Sequence, residues 1–151
     1  MKLPLVFAVV LFPSVLLADN LFTNSDMEKS SGWRGDKSYK KLGDLSVLEL
    51  KANPDRMVSF HQDANTRGVK DVLLKLRYMT SDYSGRGFQI RGERVGGGAT
   101  FNNFSLQADG KWHEITWNFS EVRDNRSLLF FFNLLEGQGT VYFDDIVAEK
   151  P

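Results

Sequence analysis

The segment 72–80 constrains the fold more than any other part of the chain. Its apolar side chains occupy every second position, at Val72, Leu74, Leu76 and Tyr78. Lys75 and Arg77 lie between them. Because successive side chains of a β-strand point to opposite faces, this alternation predicts a strand with one buried and one solvated face.

Seven further segments show the same alternation or a short apolar run: 46–52, 56–62, 86–92, 99–107, 112–119, 127–135 and 139–149. Turn-forming residues separate them, as in Asn53-Pro54-Asp55 and Gly96-Gly97-Gly98. No stretch has the period of a long helix. The pattern predicts an all-β chain, folded as a two-sheet antiparallel β-sandwich of the jelly-roll type.

The first residues have the composition of a secretory signal. Lys2 precedes an apolar run that ends at Ala18, and Pro4 and Pro13 interrupt that run. We predict a signal peptide over 1–18 and one β-sandwich domain over 19–151, in a secreted or periplasmic protein. The run is short for a membrane span, so we expect no stable membrane insertion after cleavage; an uncleaved anchor is the alternative.

Charge and cysteine content argue against a nucleic-acid-binding protein and against a disulfide-stabilised one. Basic and acidic residues number 19 each, which gives no basic surface for a nucleic acid, and there is no cysteine for a disulfide. The histidines, His61 and His113, lie in predicted strands without metal-ligand spacing, and no catalytic motif is present. We therefore expect a non-catalytic protein. Side-chain packing would stabilise it, and a bound ion is a second candidate for stabilising the fold.

Polar side chains fall on the outward positions of the predicted strands: Lys75, Arg77, Gln89, Arg91, Glu114, Thr116 and Asn133. Phe131 is also at an outward position if Phe130, Phe132 and Leu134 belong to the core. Guanidinium and amide groups suit ligands rich in hydroxyls, and aromatic rings suit the apolar faces of sugars. A carbohydrate site is predicted at Arg77, Gln89, Arg91, Phe131 and Asn133. Trp33 and Tyr83 are further candidates from the loops, and an ordinary solvated sheet face is the alternative.

Two adjacent carboxylates, Asp144 and Asp145, interrupt the apolar alternation of the last predicted strand. Neighbours on a strand point to opposite faces, so one of the two must point toward whatever the sheet packs against. A buried carboxylate needs a partner, and a hard cation is one such partner.

Four short segments resemble a known group of proteins. Asn24-Ser25-Asp26-Met27-Glu28, followed by Gly32-Trp33, resembles the opening motif of carbohydrate-binding modules of families 4, 9 and 22. Gly139-Thr140-Val141-Tyr142-Phe143-Asp144-Asp145-Ile146 resembles their closing strand. Segments 43–50 and 110–116 resemble two strands between these ends. The resemblance covers almost all of residues 19–151, with Ser25 and Met27 as departures from the usual glycine and aromatic residue.

The resemblance implies a galactose-binding-like jelly roll with a structural calcium ion. It assigns Glu28 and Asp144 as calcium ligands, with backbone carbonyls completing the shell. It also implies a polysaccharide or glycan as the partner. We therefore predict an exported, monomeric carbohydrate-binding module that binds its ligand on one sheet face.

Two other functions stay open at this point. The first is an envelope-associated protein-interaction or structural module that uses the same sandwich without binding sugar. The second is a small glycan-active enzyme that uses Glu93 or Glu114 as its catalytic acid.

Overall fold

A computed structural model describes residues 20–123 and 126–151, so the predicted signal segment 1–18 lies outside the described residues. These residues form ten strands: β1 Arg34–Gly35, β2 Ser38–Leu42, β3 Leu45–Lys51, β4 Val58–Asn65, β5 Val72–Gly85, β6 Phe88–Arg94, β7 Ala99–Phe104, β8 His113–Phe119, β9 Ser127–Leu134 and β10 Gly137–Glu149. Within the described ranges no helix is present, and hence none that is long and apolar enough to cross a membrane.

The strands form two antiparallel sheets of five strands. The first, which we call sheet A, has the order β1-β4-β9-β6-β7, and the second, sheet B, has the order β2-β3-β10-β5-β8. Most sheet neighbours are distant in sequence, since β9 lies between β4 and β6 and β10 lies between β3 and β5. The prediction of a two-sheet antiparallel sandwich is confirmed.

Phenylalanine rings fill the space between the sheets. Phe60 and Phe132, both of sheet A, stack with centroids 4.9 Å apart. Phe143 of sheet B packs against Phe60 at 5.2 Å and against Phe88 at 5.1 Å. All four rings are fully buried. Aromatic rings remove more apolar area from water than other side chains, so this cluster accounts for much of the stability of a chain without disulfides.

The segment before β1 ties the end of the chain to the sandwich. Leu21 N–H donates to the carbonyl of Ala148, and Ile146 N–H donates to the carbonyl of Ser25. On the other side, the buried amide of Gln62 accepts a hydrogen bond from Thr23 N–H at 2.6 Å and donates to the carbonyl of Thr23 at 3.1 Å. The opening segment therefore contacts both sheets, one through β10 and the other through β4.

The observed strands differ from the predicted segments mainly at their ends. β1 and β2 were not predicted, because 34–42 contains mostly charged and small residues without alternation. β5 continues to Gly85 instead of ending at Thr80, since its last residues pair with the start of β10. β7 ends at Phe104 rather than Gln107.

Replacing Phe132 by alanine tests the aromatic core. We expect Phe132→Ala to lower the free energy of unfolding by about 3–5 kcal/mol. The ring is fully buried, and neighbouring side chains would not close the cavity that its removal leaves. Urea unfolding followed by tryptophan fluorescence measures this loss. Phe101→Ala is the control: that ring is 57% exposed, so its loss is expected to stay within about 0.5 kcal/mol. Equal losses in the two variants would contradict this account of the core.

Candidate functional site

The outer face of sheet A carries a row of aromatic and cationic side chains. His61, Phe131, Arg91 and Phe101 are register partners on the four neighbouring strands β4, β9, β6 and β7. Strands in a sheet are about 4.8 Å apart, so this aromatic row extends about 14 Å across the strands. It forms an elongated surface that crosses the sheet.

Contacts within the aromatic row join three of its members, His61, Phe131 and Arg91. The rings of His61 and Phe131 lie with centroids 5.0 Å apart. The guanidinium of Arg91 lies over the Phe131 ring, 5.9 Å from its centroid. Phe101, at the edge of the sheet, leaves 57% of its surface in water. A ring held by neighbours, as Phe131 is, can bury a flat apolar ligand face at low cost in side-chain entropy.

The cations near the aromatic row are neutralised by carboxylates. Arg34 Nη2 lies 2.7 Å from Asp63 Oδ2, and Arg91 pairs with Glu93 on its own strand. All these groups are partly or mostly exposed, so the pairs add little stability. Their effect on recognition is larger, since a surface with balanced charge suits a neutral ligand better than an anionic one.

A second row, of amides and a hydroxyl, runs beside the aromatic row. Ser59, Asn133, Gln89 and Asn103 are register partners on the same four strands, and we call them the amide row. Asn133 Nδ2 donates to Gln89 Oε1 at 3.1 Å, and Gln89 Nε2 donates to Asn103 Oδ1 at 3.0 Å. Gln89 and Asn103 keep further donor or acceptor capacity, so they can bind ligand hydroxyls.

Asn133 differs from its predicted role as a sugar contact. It is only 2% exposed, so its side chain lies beneath the surface that a ligand would touch. Its hydrogen bond to Gln89 fixes the orientation of that amide instead. Gln89, Arg91 and Phe131, the other predicted residues of sheet A, lie together on the outer face.

Arg77 lies on the other sheet, so the predicted site does not form as one surface. It belongs to β5 of sheet B, where it pairs with Asp145 at 3.0 Å and lies over the ring of Trp112. Lys75, Glu114 and Thr116, which were predicted on the same face, are also on the outside of sheet B. Alternation gives the inward or outward direction of a side chain, but it does not give the sheet to which a strand belongs.

The aromatic side chains predicted from the loops are buried. Trp33 is 3% exposed, packs against Phe22 and Phe60, and donates its indole N–H to the carbonyl of Asn24. Tyr83 is buried as well, and its hydroxyl accepts a hydrogen bond from Gly87 N–H. In this structure neither ring offers a face to a ligand.

Sequence reasoning missed four residues of the outer face: Ser59, His61, Phe101 and Asn103. Phe101 and Asn103 lie at outward positions of β7, opposite in phase to Phe104, so the alternation contained the signal. His61 was interpreted as a partly exposed strand histidine, which its exposure supports, but its contact with Phe131 depends on the pairing of β4 with β9.

Asp144, the carboxylate predicted to bind a cation, is buried in β10, the strand to which the start of the chain is hydrogen-bonded. Asp144 is 2% exposed, and its nearest cationic group is Arg77 Nη1 at 3.9 Å. Asp145 has a positive φ of 48° in an irregular part of β10, which breaks the strand alternation. Glu28 is exposed and pairs with Lys41 at 3.7 Å.

Burial raises the pKa of the Asp144 carboxyl above its ordinary value. The negative charges of Asp145 and Asp26 act in the same direction, while a hydrogen bond from Asp145 N–H and the charge of Arg77 oppose the rise in pKa. Asp26, rather than Glu28, is thus the opening-segment carboxylate that acts on Asp144. Within 20–123 and 126–151, no group of three or more His, Asp or Glu side chains is arranged to hold a metal ion.

Glu93 and Glu114, the acids of the enzyme hypothesis, belong to different sheets. Glu93 lies in β6 of sheet A and pairs with Arg91, and Glu114 lies in β8 of sheet B and accepts a hydrogen bond from Thr116. Paired catalytic carboxylates must face each other across a scissile bond, which residues on the outer sides of opposite sheets do not do.

Comparisons with known proteins support the fold. No protein-family model matches the chain, and no curated protein matches it in sequence. Among solved structures, TmCBM61 in complex with β-1,4-galactotriose matches with a TM-score of 0.64 and 14% identity, over 89% of this chain and 100% of that one. The CBM22-1 xylan-binding domain of Paenibacillus barcinonensis Xyn10C matches with a TM-score of 0.61 and 12% identity, over 87% and 94%.

A third match is a CBM4 structure, with a TM-score of 0.56 and 18% identity, over 86% of this chain and 84% of that one. In a longer protein, the enzymatically active domain of bacteriophage CBA120 tailspike protein 4, the matching region is 21% of that chain, at 10% identity and a TM-score of 0.64. At such identities the likeness establishes the fold. The resemblance predicted from the end motifs is confirmed: the chain has the jelly-roll fold of carbohydrate-binding modules.

The pKa of His61 gives a test of the environment of this side chain in the aromatic row. Burial, and then the positive charge of Arg34, hold this pKa below its ordinary value of about 6.5. The folded state therefore binds this proton more weakly than the unfolded state, and stability falls as the pH drops below about 6.5. Urea unfolding at about pH 7.5 and about pH 5 should show a smaller loss for His61→Gln than for the wild type. An equal loss would mean that His61 is not held in the neutral form.

Proposed function

We propose that this protein is a non-catalytic carbohydrate-binding module whose ligand lies across the strands of sheet A. The observation that carries the proposal is the aromatic row beside the amide row, which places ring faces and hydrogen-bonding groups on one surface. Structural neighbours are carbohydrate-binding modules, which adds support. The N-terminal sequence further supports a site of action outside the cytoplasm.

The two rows match the two kinds of surface on a pyranose ring. The C–H face of the sugar would stack on Phe131 and Phe101, while equatorial hydroxyls would reach Gln89 and Asn103. Because the ion pairs around the row balance its charge, we propose a neutral polysaccharide. We propose a β-1,4 linkage because the structurally similar TmCBM61 was solved with β-1,4-galactotriose. Few rings are available, so the expected affinity is modest.

Variants of the two sheet faces test the proposed site. We expect Phe131→Ala and Arg91→Ala to weaken glycan binding at least about tenfold, because each removes part of the aromatic row. Affinity gel electrophoresis in β-1,4-galactan, β-1,4-xylan and β-1,4-glucan measures retention. Arg77→Ala is the matched control: its side chain is 40% exposed, against 44% for Arg91, but it lies on the opposite sheet.

Melting temperatures should accompany these gels, because Arg77→Ala also removes the cation nearest to Asp144. Retention of all three variants at the wild-type level would contradict a site on sheet A. Wild-type protein that none of the three polysaccharides retains would contradict the proposed function. It would favour a protein-interaction or structural role for the same sandwich.

We also propose a structural calcium ion at Asp144, which the family resemblance implies. A buried carboxylate is a fitting donor for a hard cation, and Asp26, whose charge helps to raise the Asp144 pKa, is the second carboxylate we propose. Backbone carbonyls would supply the remaining ligands. Glu28 fits less well, since its carboxylate lies next to Lys41. When bound, calcium would offset the cost of the buried charge and would strengthen the link between the opening segment and β10.

Asp144→Asn separates calcium binding from packing. Because burial raises the Asp144 pKa, ionisation of this group opposes folding at neutral pH, so stability is lost as the pH rises through that pKa. In chelator at about pH 7 we expect Asp144→Asn to melt no lower than the wild type. With calcium in excess the wild type alone should gain melting temperature. A wild type that melts at the same temperature with and without calcium would contradict the proposal.

A further inference from the structure

A polar groove of about 560 Å³ opens on the side of the sandwich where β7 and β8 are the edge strands of the two sheets. Six polar residues line it: Asn103, Ser105, Gln107, His113, Glu114 and Thr116. An edge strand has backbone N–H and C=O groups without a strand neighbour, so the groove combines these groups with hydroxyl, amide and carboxylate side chains.

Hydrogen bonds fix the segment that connects β7 to β8. Gln107 N–H donates to the hydroxyl of Tyr78 at 2.9 Å, and Thr80 Oγ1 donates to the carbonyl of Gln107 at 3.0 Å. His113 Nε2 lies 2.8 Å from Asp109 Oδ1, across the same segment. Tyr78 and Thr80 are buried. The connection is therefore anchored to the core, and a ligand would meet a formed groove rather than a segment that must first be ordered.

The groove is continuous with the amide row. Asn103 lines the groove, and its Oδ1 accepts the hydrogen bond from Gln89 Nε2 at 3.0 Å. The same side chain thus ends the row on sheet A and begins the polar lining at the side. A ligand that reaches Asn103 across the sheet has its next polar partners at Gln107, Glu114 and Thr116.

We infer that the edge groove is an extension subsite, which binds sugar units beyond those held on sheet A. The inference rests on the proposed function, and it names the ligand more closely as a glycan long enough to pass the β7 edge. On sheet A the rings supply apolar contact. In the groove hydroxyl groups of the sugar would be recognised mainly by hydrogen bonds, since six of its nine lining residues are the polar ones named above and the others are Tyr78, Phe104 and Ile115.

Oligosaccharides of different length test the inference. The probes are chains of three and of six units from β-1,4-galactan, β-1,4-xylan and β-1,4-glucan, titrated calorimetrically into the wild type. We expect the six-unit chain of the bound type to bind about tenfold more tightly than the three-unit chain, as one or two added hydrogen bonds allow. The double variant Gln107→Ala/Thr116→Ala should bring this ratio close to one while leaving the affinity for three units unchanged.

Asn118→Ala is the matched control, because Asn118 lies two positions after Thr116 on the same face of β8 but does not line the groove. It should keep the wild-type ratio, whereas Phe131→Ala should weaken both lengths. Equal wild-type affinity for the two lengths, or an unchanged ratio in the double variant, would overturn the extension subsite and leave the proposed function standing. Wild type that binds neither length of any probe would overturn both.

Discussion

Packing between the phenylalanines of the two sheets is the interaction on which the rest of the structure depends. Phe60, Phe88 and Phe132 of sheet A meet Phe143 of sheet B in a cluster from which water is excluded. With no cysteine in the chain, no covalent bridge can hold the sheets together. The outer surface of sheet A can then carry polar and aromatic groups without loss of stability, because the inner surface supplies the driving force for folding.

The outer faces of the two sheets differ in the side chains that they expose. On sheet A the outward residues form two ordered rows with balanced charge. On sheet B the outward residue Asp144 is nearly inaccessible to solvent, and the charge of Asp26 in the opening segment helps to raise its pKa. The proposed ligand site thus lies on sheet A, while backbone hydrogen bonds to β10 of sheet B attach the start of the chain to its end.

How far the candidate site follows from the sequence can be judged from single residues. The outward positions of Gln89, Arg91 and Phe131 follow from alternation with buried neighbours, and these three do lie together. Arg77 has the same kind of local pattern but lies on the opposite sheet. The burial of Asn133 has a different cause: it lies in β9, between β4 and β6, where neighbours cover it from both sides.

The sequence by itself determined the strands β3 to β10, the side of each of them that faces the core and, through its end motifs, the type of sandwich. These features depend on side chains close together in the chain, whose period matches the geometry of a strand. Only the tertiary structure decided that the rows of sheet A form one surface, that Trp33 and Tyr83 are interior, and that Asp26 acts on Asp144. Each of these depends on pairing between segments far apart in sequence, and alternation within one segment contains no information about its partner.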